Sequence, residues 1–273
     1  MNQFPFIDTS VPRFQVSALS QVEDWGLTYV GVRKWRDENH VNGSGIRVAI
    51  LDTGVSEHSD MPLVMKVDTT GTGPLDKNGH GTHCAGIIAA VDNGVGVIGA
   101  APGVELISIK VLNDCGLGDW EQITAGINEA VNLCCDVISM SLGARMNPPR
   151  YLTDAIERAV KSGIIICAAA GNDGEQDPQA PASCVDVYAV GAIGMDEEIL
   201  NFSVKNSDVF CPGSDIYSCW LDNSFAKLDG TSQATPIVSA VMALLLEKHC
   251  HNIEMALIEF HSMLDEDKKL RLR

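Results

Sequence analysis

The sequence predicts a three-layer α/β/α sandwich on a mostly parallel central sheet. Three observations predict it: apolar runs that are continuous rather than alternating, helical patterns between those runs, and a glycine or polar residue closing most of them. Continuous runs are expected where a strand is covered on both faces. Strands that alternate with helices must be joined by crossovers, which makes neighbouring strands parallel. With 273 residues and 45% hydrophobic content, the chain is long enough for one large domain with a substantial core.

Taken in order, residues 1–20 carry Pro5 and Pro12 and no periodicity, and read as an extended arm outside a domain spanning 21–261. The first strand is IRVAILD (46–52), ending in Asp52. HGTHCAGIIAA (80–90) reads as a helix of small residues, with Gly79 and Gly81 on either side of His80. VELISIKVL (104–112) is the second strand, and WEQITAGINEAVNL (120–133) a helix with apolar residues at helical spacing. CDVISMSLG (135–143) and GIIICAAAG (163–171) are strands on either side of RYLTDAIERAVKSG (150–163), a helix that stops at Gly163. DVYAVGAIG (186–194) is a fifth strand. GTSQATPIVSAVMALLLEKH (230–249) begins with small residues and turns into a hydrophobic stripe, and 262–273 reads as a polar tail. In open parallel sheets a site forms beyond the carboxyl ends of the strands, which directs attention to Asp52, Gly143 and Gly171–Asn172.

Composition narrows the partners. Thirty-six acidic against 19 basic residues give a formal charge of −17, which repels nucleic acid and anionic lipid, and KKLRLR (268–273) is the one basic stretch. Neither nucleic acid nor membrane is expected as a partner. The longest apolar runs, 237–246 and 163–171, fall short of the roughly 18 residues of a membrane span. The start MNQFPFIDTSVPRFQ lacks the basic and apolar regions of a secretory signal. Nine cysteines, an odd number, are scattered, and Cys84, Cys134, Cys135 and Cys167 lie in or beside apolar runs. That usage suits free thiols in a reducing compartment, and a cytoplasmic location is expected.

Three short motifs carry chemistry: Asp52 in ILDTGV, His80 in NGHGTHCAG and Ser232 in DGTSQATP. A serine hydroxyl is a poor nucleophile near neutral pH. It needs a histidine to take its proton and a carboxylate to hold that imidazole in the right tautomer. The glycines beside His80 and before Ser232 allow a substrate backbone to approach both. The rival reading is a metal site of His80, His83 and Cys84, against which stands the lack of a second ligand pair at zinc spacing. The cluster His249, Cys250, His251 and His261 reads as incidental side chains near a helix end.

Together the motifs resemble the subtilisin-like serine proteases, whose triad has the chain order Asp, His, Ser. The resemblance runs from about residue 21 to about 260 and is closest in style to the intracellular subtilisins. It implies a serine endopeptidase acting through an acyl-enzyme, with His80 as general base and His83 a structural residue. Cys84 would lie behind the base, as in the proteinase K branch, where thiol reagents or heavy metals could inhibit through it. Asn172, closing ICAAAGND, matches the asparagine whose amide donates to the oxyanion together with the backbone N–H of Ser232. Thr231 would support Asn172. Gln233 stands where the family commonly has methionine, which implies resistance to peroxide.

The same resemblance places an extended peptide between Ser141, Leu142 and Gly143 on one side and Gly116, Leu117 and Gly118 on the other, with Trp120 at the rim of the fourth pocket. Ala169, Ala170 and Gly171 would wall the first pocket and leave room for a large side chain, while the acidic Asp173, Glu175 and Asp177 follow in a loop. AAVDNGVGVIGAAP (89–102) resembles the family's structural calcium loop. Its implied ligands are Asn93, the carbonyls of Val91, Val95 and Val97, and the more distant Asp60 and Gln21. The arm is too short for a folding pro-domain and resembles the inhibitory extension of intracellular subtilisins, with FPFID or VPRFQ across the site. The competing readings are a dedicated processing protease for one leader or pro-peptide, a non-catalytic binding protein on the same fold, and a zinc-dependent hydrolase. The oligomeric state is open, a dimer included.

Overall fold

In a computed structural model of the chain, residues 3–7, 11–15 and 20–272 are described. The elements are β1 (Phe4–Pro5), β2 (Arg13–Gln15), α1 (Trp25–Val30), α2 (Val32–Asn39), β3 (Arg47–Asp52), β4 (Met65–Asp68), α3 (His80–Ala89), β5 (Glu105–Lys110), β6 (Leu117–Gly118) and α4 (Trp120–Asn132). They continue with β7 (Val137–Met140), α5 (Arg150–Lys161), β8 (Ile165–Ala169), β9 (Val187–Ile193), β10 (Val209–Pro212), β11 (Ile216–Cys219), β12 (Phe225–Leu228), α6 (Thr231–Lys248) and α7 (Ile253–Ser262). Each of the five strands and four helices expected from the apolar runs is present, trimmed at its ends.

Seven strands form one parallel sheet in the order β10-β9-β8-β7-β3-β5-β4. Alternate residues of β3 serve two cores. Val48 and Ile50 join Ile88, Ile237, Val241 and Leu244 on the face covered by α3 and α6. Ala49 and Leu51 join Ile123, Ile127, Leu152 and Ile156 on the face covered by α4 and α5. This two-sided burial is the physical content of the continuous apolar runs, and it makes three layers.

Local chemistry sets the helix ends. Asp119 and Gln122 form a capping box at the start of α4, each side chain bonding the other's backbone. On α5, Leu152, Ala155, Ile156 and Ala159 are buried at helical spacing. α6 differs: its residues are buried continuously from Thr231 to Leu246, so the expected stripe is a helix surrounded by core.

The described parts of the arm are not outside the domain. β1 pairs antiparallel with β6, and β2 extends the β11–β12 hairpin into a three-stranded sheet. Backbone N–H and C=O groups left at those edges are thereby paired. The tail is also more than a polar appendage. Phe210 N–H donates to the Lys268 carbonyl (2.8 Å) and Leu270 N–H to the Phe210 carbonyl (3.0 Å). In KKLRLR the leucines alternate with basic residues. Leu270 is fully buried, and the Arg271 guanidinium lies 3.3 Å over the Tyr29 ring.

β3 lies where the sheet's connectivity reverses, β4 and β5 having been laid to one side and β7 to β10 to the other. The carboxyl ends of β3, β7 and β8 therefore open on a crevice, and the start of α6 faces it.

Candidate active site

Asp52 is the last residue of β3 and His80 the first of α3. His80 Nδ1 sits 2.8 and 3.0 Å from the two Asp52 carboxylate oxygens. Asp52 is fully buried and His80 5% exposed, so this ion-pairing partner is shielded from solvent. Burial by itself would lower the His80 pKa. The Asp52 charge and hydrogen bond outweigh it and hold His80 above its ordinary value. With Nδ1–H bonded to the carboxylate, Nε2 is the nitrogen left to act as a base, and it makes no hydrogen bond among the described residues.

Ser232 is the second residue of α6, 6% exposed, and its hydroxyl donates to the Ser141 carbonyl (3.1 Å) at the end of β7. Cys84 ties the two halves together. Its sulfur lies within 4.8 Å of the ligating atoms of both Asp52 and His80 and 3.5 Å from the Ser232 carbonyl. Burial raises the Cys84 thiol well above its usual pKa, which makes it a packing group behind the base. His83 is not part of that cluster. Its Nε2 faces the Ile216 and Ala226 carbonyls, each at 3.1 Å, and burial pushes its pKa down to about 3, so the ring is neutral and structural.

Two buried residues position the pair and were not legible as site residues. Asp76 accepts from Thr53 Oγ1 (2.9 Å), from the Asn78 and Gly79 N–H groups (2.9 and 3.0 Å), and from both Thr82 N–H and Thr82 Oγ1 (3.0 and 2.7 Å). A carboxylate is thereby set at the positive end of the helix that carries His80. Lys110, fully buried, is the register partner of Asp52 and donates to the carbonyls of Thr53 (2.8 Å) and Leu75 (3.2 Å) and to Asp114 (2.7 Å). The only signal in the sequence is a lysine closing the apolar run ELISIK; Asp76 sits in a loop without any.

Asn172 follows β8. Its Oδ1 accepts from Thr231 N–H (2.9 Å) and Thr231 Oγ1 (3.0 Å), while Thr231 Oγ1 also accepts from Gly171 N–H (3.3 Å). With the oxygen side held by Thr231, the amide's Nδ2–H groups remain for an oxygen bound beside Ser232.

A cleft of about 300 Å³ joins these parts. Leu142, Gly143, Ala169, Gly171, Asn172, Asp173, Gln179, Thr231 and Ser232 line it, together with Pro5, Phe6 and Ile7 of the arm. Of the expected substrate segments, Leu142 and Gly143 line the cleft, whereas Gly116, Leu117 and Gly118 do not; the arm lies between the two segments. Phe4 pairs with Gly118 and Pro5 with Leu117. Phe6 donates its N–H to the Gly116 carbonyl (3.4 Å) and accepts from Gly143 N–H (2.8 Å). The Phe6 ring stands edge-on to Trp120 at 4.8 Å. Residues 8–10, which include the end of FPFID, lie outside the described residues. VPRFQ is elsewhere, its Arg13 bonded to Asp229 and Asp215 (both 2.7 Å). Of the three expected wall residues of the first pocket, Ala169 and Gly171 line the cleft, whereas Ala170 is packed into the core and bonds Val190 and Gln179 through its backbone.

A family model described as the subtilase family matches residues 43–258. The chain belongs to the subtilase family. It is 37% identical to Subtilisin DY of Bacillus licheniformis over 239 residues, 84% of this chain and 86% of that protein. It is 36% identical to the Thermostable alkaline protease of Halalkalibacterium halodurans over 235 residues, 85% of this chain and 64% of that one. The Minor extracellular protease Epr of Bacillus subtilis is 35% identical over 83% of this chain and 36% of its own length. The chain thus spans a little under two thirds of the alkaline protease that it matches.

The subtilase also gathers the six residues expected at a cation. Gln21 Nε2 lies 2.7 Å from the Val91 carbonyl and 3.2 Å from that of Val97. Asp60 accepts from Asn93 Nδ2 (2.9 Å) and from Val97 N–H (2.6 Å), and Val95 N–H donates to Asn93 Oδ1 (3.0 Å). Asp60 is 2% exposed, and burial raises its pKa. The donors to its carboxylate, the Asn93 amide and Val97 N–H, bring no positive charge, and its own N–H donates to His58 Nδ1 (3.0 Å), so a buried carboxylate stands among carbonyls and amides. Such an oxygen-rich, acidic set suits a hard cation.

Proposed function

We propose that the protein is a serine endopeptidase that hydrolyses extended peptides through an acyl-enzyme. The observation that carries this reading is the buried Asp52–His80 couple, linked through Cys84 to the backbone of Ser232, which lines one cleft together with Asn172. In the first half-reaction His80 Nε2 takes the Ser232 hydroxyl proton as Oγ attacks the scissile carbonyl, and Asp52 stabilises the resulting imidazolium. Asn172 Nδ2–H and Ser232 N–H meet the charge that develops on the carbonyl oxygen. His80 then returns the proton to the leaving amine, and water, activated the same way, releases the acyl group. Covalent labelling of Ser232 by a fluorophosphonate, together with cleavage of an unfolded protein that Ser232→Ala abolishes, tests this. Absence of labelling in full-length and arm-deleted protein alike would favour a non-catalytic binding role.

The arm is read as an internal competitor for the cleft. In support, it uses the backbone partners that the resemblance assigns to substrate, and Arg13 anchors it farther along. A structural calcium is read at Gln21, Asp60, Asn93 and the carbonyls of Val91, Val95 and Val97. The amide oxygens of Gln21 and Asn93 exchange places with their nitrogens on a half-turn of the terminal bond. Calcium there would neutralise Asp60 and tie the segment at residue 21 to the loop. A reducing, cytoplasmic setting is supported by nine free thiols, five of them buried. Recovery of the protein from culture medium of intact cells would overturn that placement.

A further inference from the structure

Lys110 closes β5 with a side chain that reaches no solvent. A lysine head has three N–H donors, and acceptors from three different segments meet them. The Thr53 carbonyl (2.8 Å) follows Asp52, the Leu75 carbonyl (3.2 Å) precedes Asp76, and the Asp114 carboxylate (2.7 Å) belongs to the loop that leads to Gly116. Of the three, only Asp114 brings charge. The Lys110 hydrogen bond, the largest influence on it, holds the Asp114 carboxyl below its ordinary pKa, so the carboxylate is ionised at neutral pH.

Asp114 meets α3 by a second route. Its carbonyl accepts from Asn78 Nδ2 (3.3 Å), and Asn78 Oδ1 accepts from His80 N–H (3.2 Å). The loop around it is a closed turn. Asn113 Oδ1 accepts from the Cys115 and Leu117 N–H groups (2.9 and 3.1 Å), Asn113 N–H donates to the Leu117 carbonyl (2.8 Å), and Gly116 N–H donates to the Asn113 carbonyl (2.9 Å). The far edge of this turn is the one the arm uses: Leu117 and Gly118 pair with Pro5 and Phe4, and the Gly116 carbonyl accepts from Phe6 N–H. Asp114 is thus bonded to the base's helix on one side and to a peptide-pairing edge on the other.

We propose that the Asp114–Lys110 pair is a positioning joint: it fixes the edge Gly116–Gly118 in register with the Asp52–His80 couple, so that the backbone contacts of an extended substrate aim its scissile carbonyl at Ser232. This rests on the endopeptidase reading. Neither residue touches substrate. Contacts far from the scissile bond speed the reaction only if the surface that makes them is held rigidly to the reacting groups. Without the joint the edge still binds a peptide backbone, but it no longer sets where that backbone lies relative to His80. A substrate too short to reach the edge is indifferent to it.

The test compares two nitroanilides with the same residue before the cut: an acetylated single residue, and a tetrapeptide long enough to pair with the edge. The readout is kcat, extrapolated to saturation so that the arm is displaced, on full-length protein whose reactive Ser232 has been counted by fluorophosphonate. Rates are taken on the alkaline plateau, where His80 is neutral in every variant. In the wild type, lengthening the substrate is expected to raise kcat as well as to lower KM. Asp114→Ala, or Asp114→Asn should alanine impair folding, is expected to lower the tetrapeptide-to-single-residue ratio of kcat about 10-fold while the gain in KM persists. Lys77→Met removes only the exposed partner of Asp114 (3.3 Å) and is expected to leave that ratio unchanged. A ratio unmoved by the Asp114 variants, an equal loss with both substrates, or a wild type in which length acts on KM alone overturns the proposal. Failure of the underlying reading is seen separately, as Ser232 that does not label.

Discussion

Phe6→Ala is the sharpest probe of the arm's occupancy. Phe6 is 3% exposed and packs against the rim of the cleft, with the Trp120 ring edge-on at 4.8 Å. Burying a phenylalanine side chain is worth about 1.5–3 kcal/mol. The edge-to-face pair adds about 0.5–1.5 kcal/mol. Alanine keeps the backbone bonds to Gly116 and Gly143 and loses most of the rest, so the bound arm should weaken by about 2–3 kcal/mol. That is a shift of about 30- to 150-fold in the ratio of covered to open cleft. The assay is hydrolysis of a short chromogenic peptide, run beside the rate of fluorophosphonate labelling at Ser232. Both rates should rise by the same factor, because both need the same open state, and the rise should approach that obtained by deleting residues 1–20. If Phe6→Ala and the deletion leave both rates unchanged, the arm does not compete for the cleft and the reasoning fails.

Further predictions concern the remaining parts. Calcium chelation should lower Tm of the wild type, and Asp60→Asn should lower Tm to about the chelated value and abolish the difference made by added calcium; a chelator-insensitive wild type refutes the site. The folded-state pKa of His80 is raised, and catalysis needs its neutral form, so kcat/KM should rise with pH through that elevated value; the associated stability runs the other way, present below the ordinary histidine pKa and lost as pH climbs through the raised one. Asp76→Asn should move that pH limb less than it reduces kcat, if the carboxylate acts chiefly by holding α3. Gly81→Ala would drive a Cβ into the Gly54 carbonyl oxygen and must push α3 off its seat; about 10²-fold loss of kcat with lowered Tm is expected, read by kinetics and thermal melts. Gln233, 1% exposed beside Ser232, cannot form a sulfoxide, so activity should survive peroxide that inactivates a Gln233→Met variant.

What was legible in the chain followed from how strongly a pattern is forced. β3 and β8 had to read as unbroken apolar runs because each feeds both cores, and α5 had to show its Leu152–Ala155–Ile156–Ala159 spacing because one side faces water. β4 and β11 escaped notice: four residues each, one at an edge with Met65 exposed, they leave no periodicity to count. At the site, Asp52, His80 and Ser232 announced themselves through glycine-flanked motifs at element ends. Asp76 and Lys110 did not, since Asp76 works from a loop with no pattern around it and Lys110 only closes an apolar run. The residues thought to make the first pocket roomy were read correctly as small. Ala169 and Gly171 line a cleft that keeps about 300 Å³ open, while Ala170 is packed into the core.

Ser232 rides on a rod immersed in the molecule's interior for most of its length. A hydroxyl mounted on a surface loop can lose its aim through local fraying long before the whole melts. Ser232 has no such freedom, because loosening α6 means opening the principal core. Loss of reactivity on heating should therefore coincide with loss of the entire tertiary signal, and the protein should pass from fully competent to denatured without lingering as a compact but inert species.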